Sequence, residues 1–359
     1  MKILTILGAR PQFIKAAVVS KSLIQYSSVE ERILHTGQHF DSNMSDVFFN
    51  EMKIPRPYYR LQNSGSTHAQ MTGRMMEGIE NALLEWKPDL VLVYGDTNST
   101  LAGAIAAAKM QIDIAHIEAG LRSFNRNMPE EINRILTDHI SKHLFAPTSG
   151  AVDQLAREGI VDRVYNVGDV MYDAAICFGE IANSRKAKGE SVVEVPSGPY
   201  ILATIHRAEN TDDLERLRVI FGALAKVSMQ CNVICPIHPR TRKALSAIDF
   251  DFASSKVEFI DPVGYLDMIM LESNSSLIVT DSGGVQKEAY FHKVPCVVLR
   301  DQTEWVELIS AGWNILCSAL DQEEIVTSII TSIGRKGKEI SPYGSGNASQ
   351  IIAEHLSRL

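Results

Sequence analysis

Short aliphatic runs rich in valine and isoleucine alternate along this chain with longer stretches of amphipathic, helical period. MKILTIL (1–7), ERILHT (31–36), DLVLVYG (89–95), IDIAHIE (112–118) and KHLFAPT (142–148) predict the strands of a first series. YILATIH (200–206), NVICPIH (232–238), VEFIDP (257–262), SLIVTD (276–281) and CVVLR (296–300) predict a second. Strands alternating with helices in this way form βαβ units around a parallel sheet. Between the series, the polar EIANSRKAKGESVVEVPSGP ends in Pro-Ser-Gly-Pro and predicts a linker near residues 180–198. The expected fold class is therefore α/β, with two doubly wound parallel-sheet domains, residues 1–180 and 181–340. Two further helical runs, DQEEIVTSIITSI and NASQIIAEHLSRL, lie in the last stretch, and the second can pack on either domain. Open parallel sheets bind ligands beyond the carboxyl ends of their strands, so two such sheets facing a cleft place the chemistry there.

Length agrees with this division, since 359 residues exceed one ordinary core and suit two. Hydrophobic residues at 45% and charged residues at 22% describe a globular enzyme rather than a disordered chain. A formal net charge of -8 excludes a sequence-independent grip on nucleic acid, while a local basic cluster can still hold a phosphorylated small molecule. The opening apolar run ends at Gly8, too short for a signal-peptide core or a membrane span, and no other segment is long enough. Five sparse cysteines without a CxxC pair predict reduced, buried thiols, so the expected setting is cytoplasmic with no membrane partner. Cys231, Cys235 and His238 have a zinc-like spacing, but CNVICPIHP is an apolar, β-prone run, and no metal is expected.

Candidate chemistry sits where strands end. In IVTDSGGVQKEAYF, a strand, the turn Ser282-Gly283-Gly284 and a helix start follow in order, so backbone N–H groups and the positive helix end converge on one spot that suits a diphosphate. The same turn also fits a plain strand-to-helix connection that needs glycine only for its φ angles. Glu288, one helical turn further, can accept from both ribose hydroxyls of a nucleotide or simply complement the helix dipole. LGARPQFIK repeats the pattern with Pro11 at a helix start and the cations Arg10 and Lys15, a second anion site.

Carboxylates follow the strands of the first series. Asp96 comes directly after DLVLVYG and Glu118 after IDIAHI, so both emerge at the same sheet edge, with Ser99 or Thr100 able to cap the helix between them. A carboxylate placed at a buried strand end is costly unless it is paired or used. MPEEINRILTDHI begins a helix with Glu130 and Glu131 in its first turn, where acids also serve the dipole, and Glu130 with Arg134 forms an i, i+4 pair. His206 and Arg207 end the first strand of the second series, and His238, Arg240 and Arg242 stand in the equivalent place one strand later.

The motifs GARPQFIK, GDTNSTLAG, HIEAGLRSF, MPEEINR, HRAEN, HPRTR, DPVGYLDM and TDSGGVQKEA, in this order and spacing, resemble the non-hydrolysing UDP-N-acetylglucosamine 2-epimerase family over nearly the whole chain. SFNRNMPEEINRILTD, NVGDVMYD and RDQTEWVEL look most like its branch acting on UDP-2,3-diacetamido-2,3-dideoxyglucuronate. The resemblance implies two Rossmann-like domains of the glycosyltransferase B type, with residues 341–359 packing back on the first. It implies a catalytic set of Asp96, Glu118, Glu130 and His206. UDP and sugar contacts carried over are Arg10, Lys15, His238, Tyr265, Ser282, Gly283, Gly284, Glu288 and Arg300, the uracil lying near DPVGY. It also implies a homodimer and a place in lipopolysaccharide or O-antigen precursor synthesis. Relatives acting on UDP-N-acetylglucosamine usually carry Glu where Gln12 stands and Arg-Pro where Trp305-Val306 stand. They also differ after Gln38-His39, where this chain reads FDSNMSDVFF, a region linked to an activating nucleotide sugar.

No GxGxxG and no GxxxxGK[ST] occurs, so neither a nicotinamide nor ATP, and no other cofactor, is expected. Inversion at C2 of an aminosugar then proceeds by expelling UDP from C1 while a base removes the C2 proton, followed by re-addition to a 2-acetamidoglycal. Glu118 and Asp96 are expected to handle that proton on opposite faces, Glu130 to support positive charge or position the sugar, and His206 to assist UDP departure. For a glucuronate substrate, Arg126 or Arg240 would meet the carboxylate. Competing readings are a glycosyltransferase on the same scaffold, a hydrolysing epimerase, and a UDP-sugar-binding sensor.

Overall fold

The computed structural model describes residues 1–38, 51–62, 67–190 and 193–359, so FDSNMSDVFF lies outside the described residues. The chain divides into two compact units, Met1–Ala174 with Ser341–Leu359, and Ala175–Ile340. In the first, β1 (Lys2–Leu7), β2 (Glu30–His35), β3 (Tyr59–Arg60), β4 (Leu90–Tyr94), β5 (Asp113–Ile117), β6 (His143–Ala146) and β7 (Val164–Asn166) form a parallel sheet of order β3-β2-β1-β4-β5-β6-β7. In the second, β8 (Tyr200–Thr204), β9 (Asn232–Pro236), β10 (Glu258–Ile260), β11 (Leu277–Thr280), β12 (Cys296–Leu299) and β13 (Asn314–Cys317) form a parallel sheet of order β10-β9-β8-β11-β12-β13. This is the doubly wound α/β class expected from the sequence. In each sheet the order reverses beside the first strand, between β1 and β4 and between β8 and β11, the place where such sheets take their ligands.

Helices cover both faces of the second sheet, which is why its strands read as continuous apolar runs. Ile201, Ala203, Val233, Cys235, Val279 and Val297 bury on one face, and Tyr200, Leu202, Ile234, Ile278, Cys296 and Val298 on the other. Each large aliphatic side chain so placed contributes about 1.5–3 kcal/mol relative to exposure. Cys235 is part of this core, with burial pushing its thiol up to about 12, and Cys231 packs half-buried against it.

All ten expected strands form. Among the described residues, the three strands that the pattern misses, β3, β7 and β13, are edge strands of two to four residues, too short to carry a period. Two other differences are local. Residues 180–187, expected in the linker, complete the helix Val170–Ala187, within which one unit gives way to the other. The helix Asn98–Lys109 is capped by Thr97, whose hydroxyl accepts from the Thr100 amide at 3.3 Å, and not by Ser99 or Thr100. Ser99 and Thr100 are already inside the helix, and Thr97 has the extended backbone that a cap requires.

Residues Ala348–Ser357 return to the first unit as a helix packed on Arg10–Leu23. Asp173 caps it from the 170–187 helix, accepting the amides of Ala348 at 3.1 Å and Ser349 at 2.7 Å, and Ser22 meets Ser349 at 3.2 Å. Among the described residues no helix is long and apolar enough to cross a membrane. Because Asp173→Ala leaves two buried N–H groups without an acceptor, it is expected to cost about 1–3 kcal/mol in denaturant unfolding. Hydrogen exchange should quicken first at Ala348 and Ser349, and unchanged protection there would contradict the assigned cap.

Candidate active site

Parallel pairing sets Tyr94 opposite Ile117, so Asp96 and Glu118 leave neighbouring strands almost together. The turn between β4 and its helix requires Gly95, at φ +61°, where an added Cβ would lie 3.2 Å from the Glu118 carboxylate and 3.5 Å from Lys15 Nζ. Glu118 itself sits at φ +73°, a left-handed conformation costing a non-glycine residue about 1–2 kcal/mol. Lys15, buried on the helix Arg10–Leu23, forms an ion pair with Glu118. Asp96 pairs with Arg134 at 2.6 Å and keeps 32% of its side-chain surface exposed, enough for a substrate to reach it. Burial raises the Asp96 carboxyl above its ordinary value; Arg134 opposes this, Glu118 adds to it, and Lys15 opposes it again.

Arg134 therefore serves Asp96, at 2.6 Å, and Glu131, at 2.9 Å, rather than the expected partner Glu130. Glu131 is the buried acid of the pair: it accepts from the amides of Ser123 at 2.8 Å and Phe124 at 2.9 Å, fixing the loop ahead of the helix Pro129–Ile140. Burial raises its carboxyl, but these amides and Arg134 bring the net shift below the ordinary value. Glu130 remains half-buried on the first turn of the helix that carries Arg134, without an ion pair among the described residues. Asn133, on the same helix, donates to the Asp96 carbonyl at 2.8 Å.

At the amino-terminal turn, the amides of Gly8 and Ala9 are taken by Gln12 Oε1, at 2.8 and 3.0 Å. Its Nε2 donates to the Tyr94 carbonyl at 2.9 Å and to Thr100 Oγ1 at 3.0 Å. A glutamate has no N–H to give that carbonyl, so Gln12 suits this packing. The helix end thus offers an anion fewer open amides than the sequence suggests, and Arg10 and Lys15 are the cations nearby.

In the second unit, the helix Gly283–Phe291 follows β11 through Ser282, whose hydroxyl makes no cap bond. Neither Gly283 nor Gly284 has positive φ, which removes the backbone-angle reason for glycine. The absent side chain matters instead: at Gly283 a Cβ would lie 2.8 Å from Glu304 Oε1, with Arg300 Nη1 at 3.9 Å. Arg300 is 8% exposed and donates to Glu304 at 3.0 Å, while its Nε has no partner among the described residues. Trp305 braces the turn, donating from Nε1 to the Gly283 carbonyl at 2.9 Å and carrying the Lys287 ammonium 4.3 Å above its ring. Glu288 is buried one turn along.

Asp281, fully buried before Ser282, accepts the amides of His206 at 3.1 Å and Arg207 at 3.1 Å and the amide group of Asn210 at 3.1 Å. It binds the loop after β8 to the turn after β11 and leaves the His206 ring 53% exposed. Asp281 is not among the residues expected from the sequence, although an aspartate directly ahead of Ser-Gly-Gly is a visible signal. His238 is exposed and caps the helix Pro239–Ala247, accepting from the Arg240 amide at 3.2 Å. Arg240 pairs with Asp212 at 2.5 Å, Arg126 is exposed, and Tyr265 is buried edge-on against Phe178 with centroids 5.7 Å apart. The structure thus brings Lys15, Asp96 and Glu118 together in the first unit, and Ser282, Gly283, Gly284, Glu288 and Arg300 together in the second.

Two all-parallel sheets with charged residues at both strand-order reversals place this chain among the doubly wound α/β proteins that take ligands at such switch points. Residues 21–357 match the family profile of UDP-N-acetylglucosamine 2-epimerase, and the chain belongs to that family. It is 53% identical, over the full length of both chains, to the UDP-2,3-diacetamido-2,3-dideoxy-D-glucuronate 2-epimerase of Pseudomonas aeruginosa. The Methanocaldococcus jannaschii UDP-GlcNAc 2-epimerase solved in complex with UDP-GlcNAc and UDP has a TM-score of 0.89 at 43% identity, covering 100% of both chains. The Neisseria meningitidis enzyme bound to UDP-GlcNAc has a TM-score of 0.91 at 33% identity, again covering 100% of both.

Behind the carboxylates, Arg122 joins Asp138 at 2.7 Å to Glu158 at 2.8 Å. Burial would raise the Glu158 carboxyl, but hydrogen bonds from Arg122 and Gln154 outweigh it and hold the group at about 2. An acid whose folded value lies below its unfolded value of about 4.3 stabilises the fold above that pH, and the contribution is lost as pH falls toward the folded value. Acid titration of unfolding free energy should accordingly be steeper for wild type than for Glu158→Gln between about pH 4.3 and pH 2; parallel curves would show that Arg122 does not hold this charge.

Proposed function

We propose that the protein is a non-hydrolysing 2-epimerase of UDP-linked 2-acetamido sugars, acting on UDP-2,3-diacetamido-2,3-dideoxy-D-glucuronate in preference to UDP-N-acetylglucosamine. The observation that carries the reading is the adjacent pair Asp96 and Glu118, each with its own countercation, in a chain of this family. The sugar preference is supported by the full-length relative at 53% identity.

One carboxylate takes the C2 proton as the C1–O bond breaks, and the electron pair of that bond leaves with the β-phosphate of UDP. Negative charge develops on the diphosphate, where the Ser282–Gly284 amides, the helix end and Arg300 would stabilise it. The C2–H electron pair becomes the C1=C2 bond of a 2-acetamidoglycal. UDP then adds back to C1 while the other carboxylate returns a proton to the opposite face of C2, so no atom is gained or lost. Asp96 and Glu118 are assigned the proton transfers, Glu130 the support of positive charge at C1, and His206 the departure of UDP. Arg10, Lys15, His238, Tyr265 and Glu288 are assigned to nucleotide and sugar contacts, and Arg126 or Arg240 to the glucuronate carboxylate. The same reading includes a cytoplasmic homodimer that supplies lipopolysaccharide or O-antigen precursors.

Incubation with either UDP-sugar in heavy water, followed by proton NMR, tests this directly: a UDP-linked manno product with deuterium at C2 is expected. Free sugar with UDP would indicate hydrolysis, turnover only with an acceptor would indicate transfer, and binding without turnover a sensor. Asp96→Asn and Glu118→Gln should each lower kcat by about 10²–10⁴-fold with UDP still bound, and near-normal turnover would remove that residue from the set.

A further inference from the structure

Asp138 lies on the helix Pro129–Ile140, fully buried, and two of its contacts, His116 and Gly120, flank Glu118. Oδ1 meets His116 Nδ1 at 2.7 Å, and Oδ2 accepts the Gly120 amide at 3.1 Å and Arg122 Nη1 at 2.7 Å. His116, itself fully buried in β5, reaches the Gly95 carbonyl with Nε2 at 2.8 Å. A carbonyl only accepts, so that nitrogen carries a proton. Residues 116 and 120, on either side of Glu118, and residue 95, immediately before Asp96, are therefore tied to one side chain. Further bonds close the assembly: Gly95 N–H donates to the Ile117 carbonyl at 2.9 Å, and the Glu118 amide to the Phe145 carbonyl at 3.1 Å. Glu118 and Gly120 both have positive φ, and a Cβ at Gly120 would lie 2.5 Å from the Ala151 carbonyl oxygen. A backbone with a left-handed glutamate persists only where its surroundings over-determine it.

We infer that Asp138 is the positioning residue of the proton-transfer pair, fixing through His116 and Gly120 the backbone on which Asp96 and Glu118 are presented to the sugar. This rests on the reading of those two acids as the groups that handle the C2 proton. Asp138 touches no reacting atom in this scheme. Its effect is on geometry, where displacements well below the size of a side chain change rates steeply.

Asp138→Ala takes away the partner of His116 Nδ1 and the acceptor of the Gly120 and Arg122 donors, whereas Asp138→Asn keeps both, its oxygen accepting from Gly120 and Arg122 and its N–H donating to Nδ1 of a neutral His116. Asp138→Asn should retain most of the rate, and a folded Asp138→Ala enzyme should lose about 10²-fold in kcat, the cost of a misplacement of about 1 Å, with UDP affinity by calorimetry unchanged. Deuterium exchange at C2 should slow in the same proportion from both the gluco and manno sides. His116→Gln, whose amide can still donate to the Gly95 carbonyl, should recover part of the loss seen in His116→Ala; this pair decides the matter if Asp138→Ala fails to fold. Wild-type kcat in folded Asp138→Ala, equal losses in the two His116 variants, or kcat and UDP affinity falling together would overturn the inference. Failure of the functional reading is distinguishable, because wild type itself would then exchange no C2 proton.

Discussion

Two carboxylates held side by side repel, and the first unit is organised around tolerating that repulsion. Asp96 and Glu118 follow adjacent parallel strands in register, so their proximity is a consequence of topology and not of a flexible loop. Each receives its own cation from a different helix, Arg134 for Asp96 and Lys15 for Glu118. The backbone bears a second cost, a left-handed glutamate beside a left-handed glycine, which Gly95, His116 and Asp138 hold in place. Buried charge rarely adds net stability once desolvation is counted. An arrangement this expensive makes sense as a device for presenting two acids at fixed positions.

The second unit solves a related problem with opposite charge. Its strand-order reversal carries a helix amino terminus opened by two glycines, with the buried Arg300 beside it. One buried aspartate, Asp281, gathers the loop after β8 against the turn after β11 by accepting from backbone and side-chain nitrogens. Asp138 and Asp281 thus have the same task in their respective sheets: each is fully buried near the carboxyl ends of the strands and anchors two chain segments at once. Neither carries out the proposed chemistry, and both hold in place the residues that would.

Much of this was legible in the sequence because parallel strands buried on both faces read as unmistakable apolar runs, and because the residues just after them are placed by the sheet. Asp96, Glu118, His206 and Ser282 could be found this way. Edge strands of two to four residues have no such signal, and β3, β7 and β13 went unseen. Pairings across sequence were less legible than positions. Helical spacing pairs Arg134 with Glu130, yet in the fold it pairs with Asp96, which is distant in sequence, and with buried Glu131. Gln12, which stands where relatives acting on UDP-N-acetylglucosamine usually carry Glu, satisfies Gly8, Ala9, Tyr94 and Thr100 together, a relation between residues as many as 88 positions apart that no local pattern encodes.

Epimerisation by elimination requires the bond between the anomeric carbon and its oxygen to break in every productive cycle. Substrate carrying heavy oxygen at that bridging position reports the event directly, because a freed β-phosphate can rotate before it rejoins C1. During turnover the label should spread to the non-bridging oxygens of the β-phosphate. If C2 inverts while the label stays wholly in the bridge and no unsaturated sugar is ever trapped, the proton-transfer and leaving-group roles assigned to these residues are wrong.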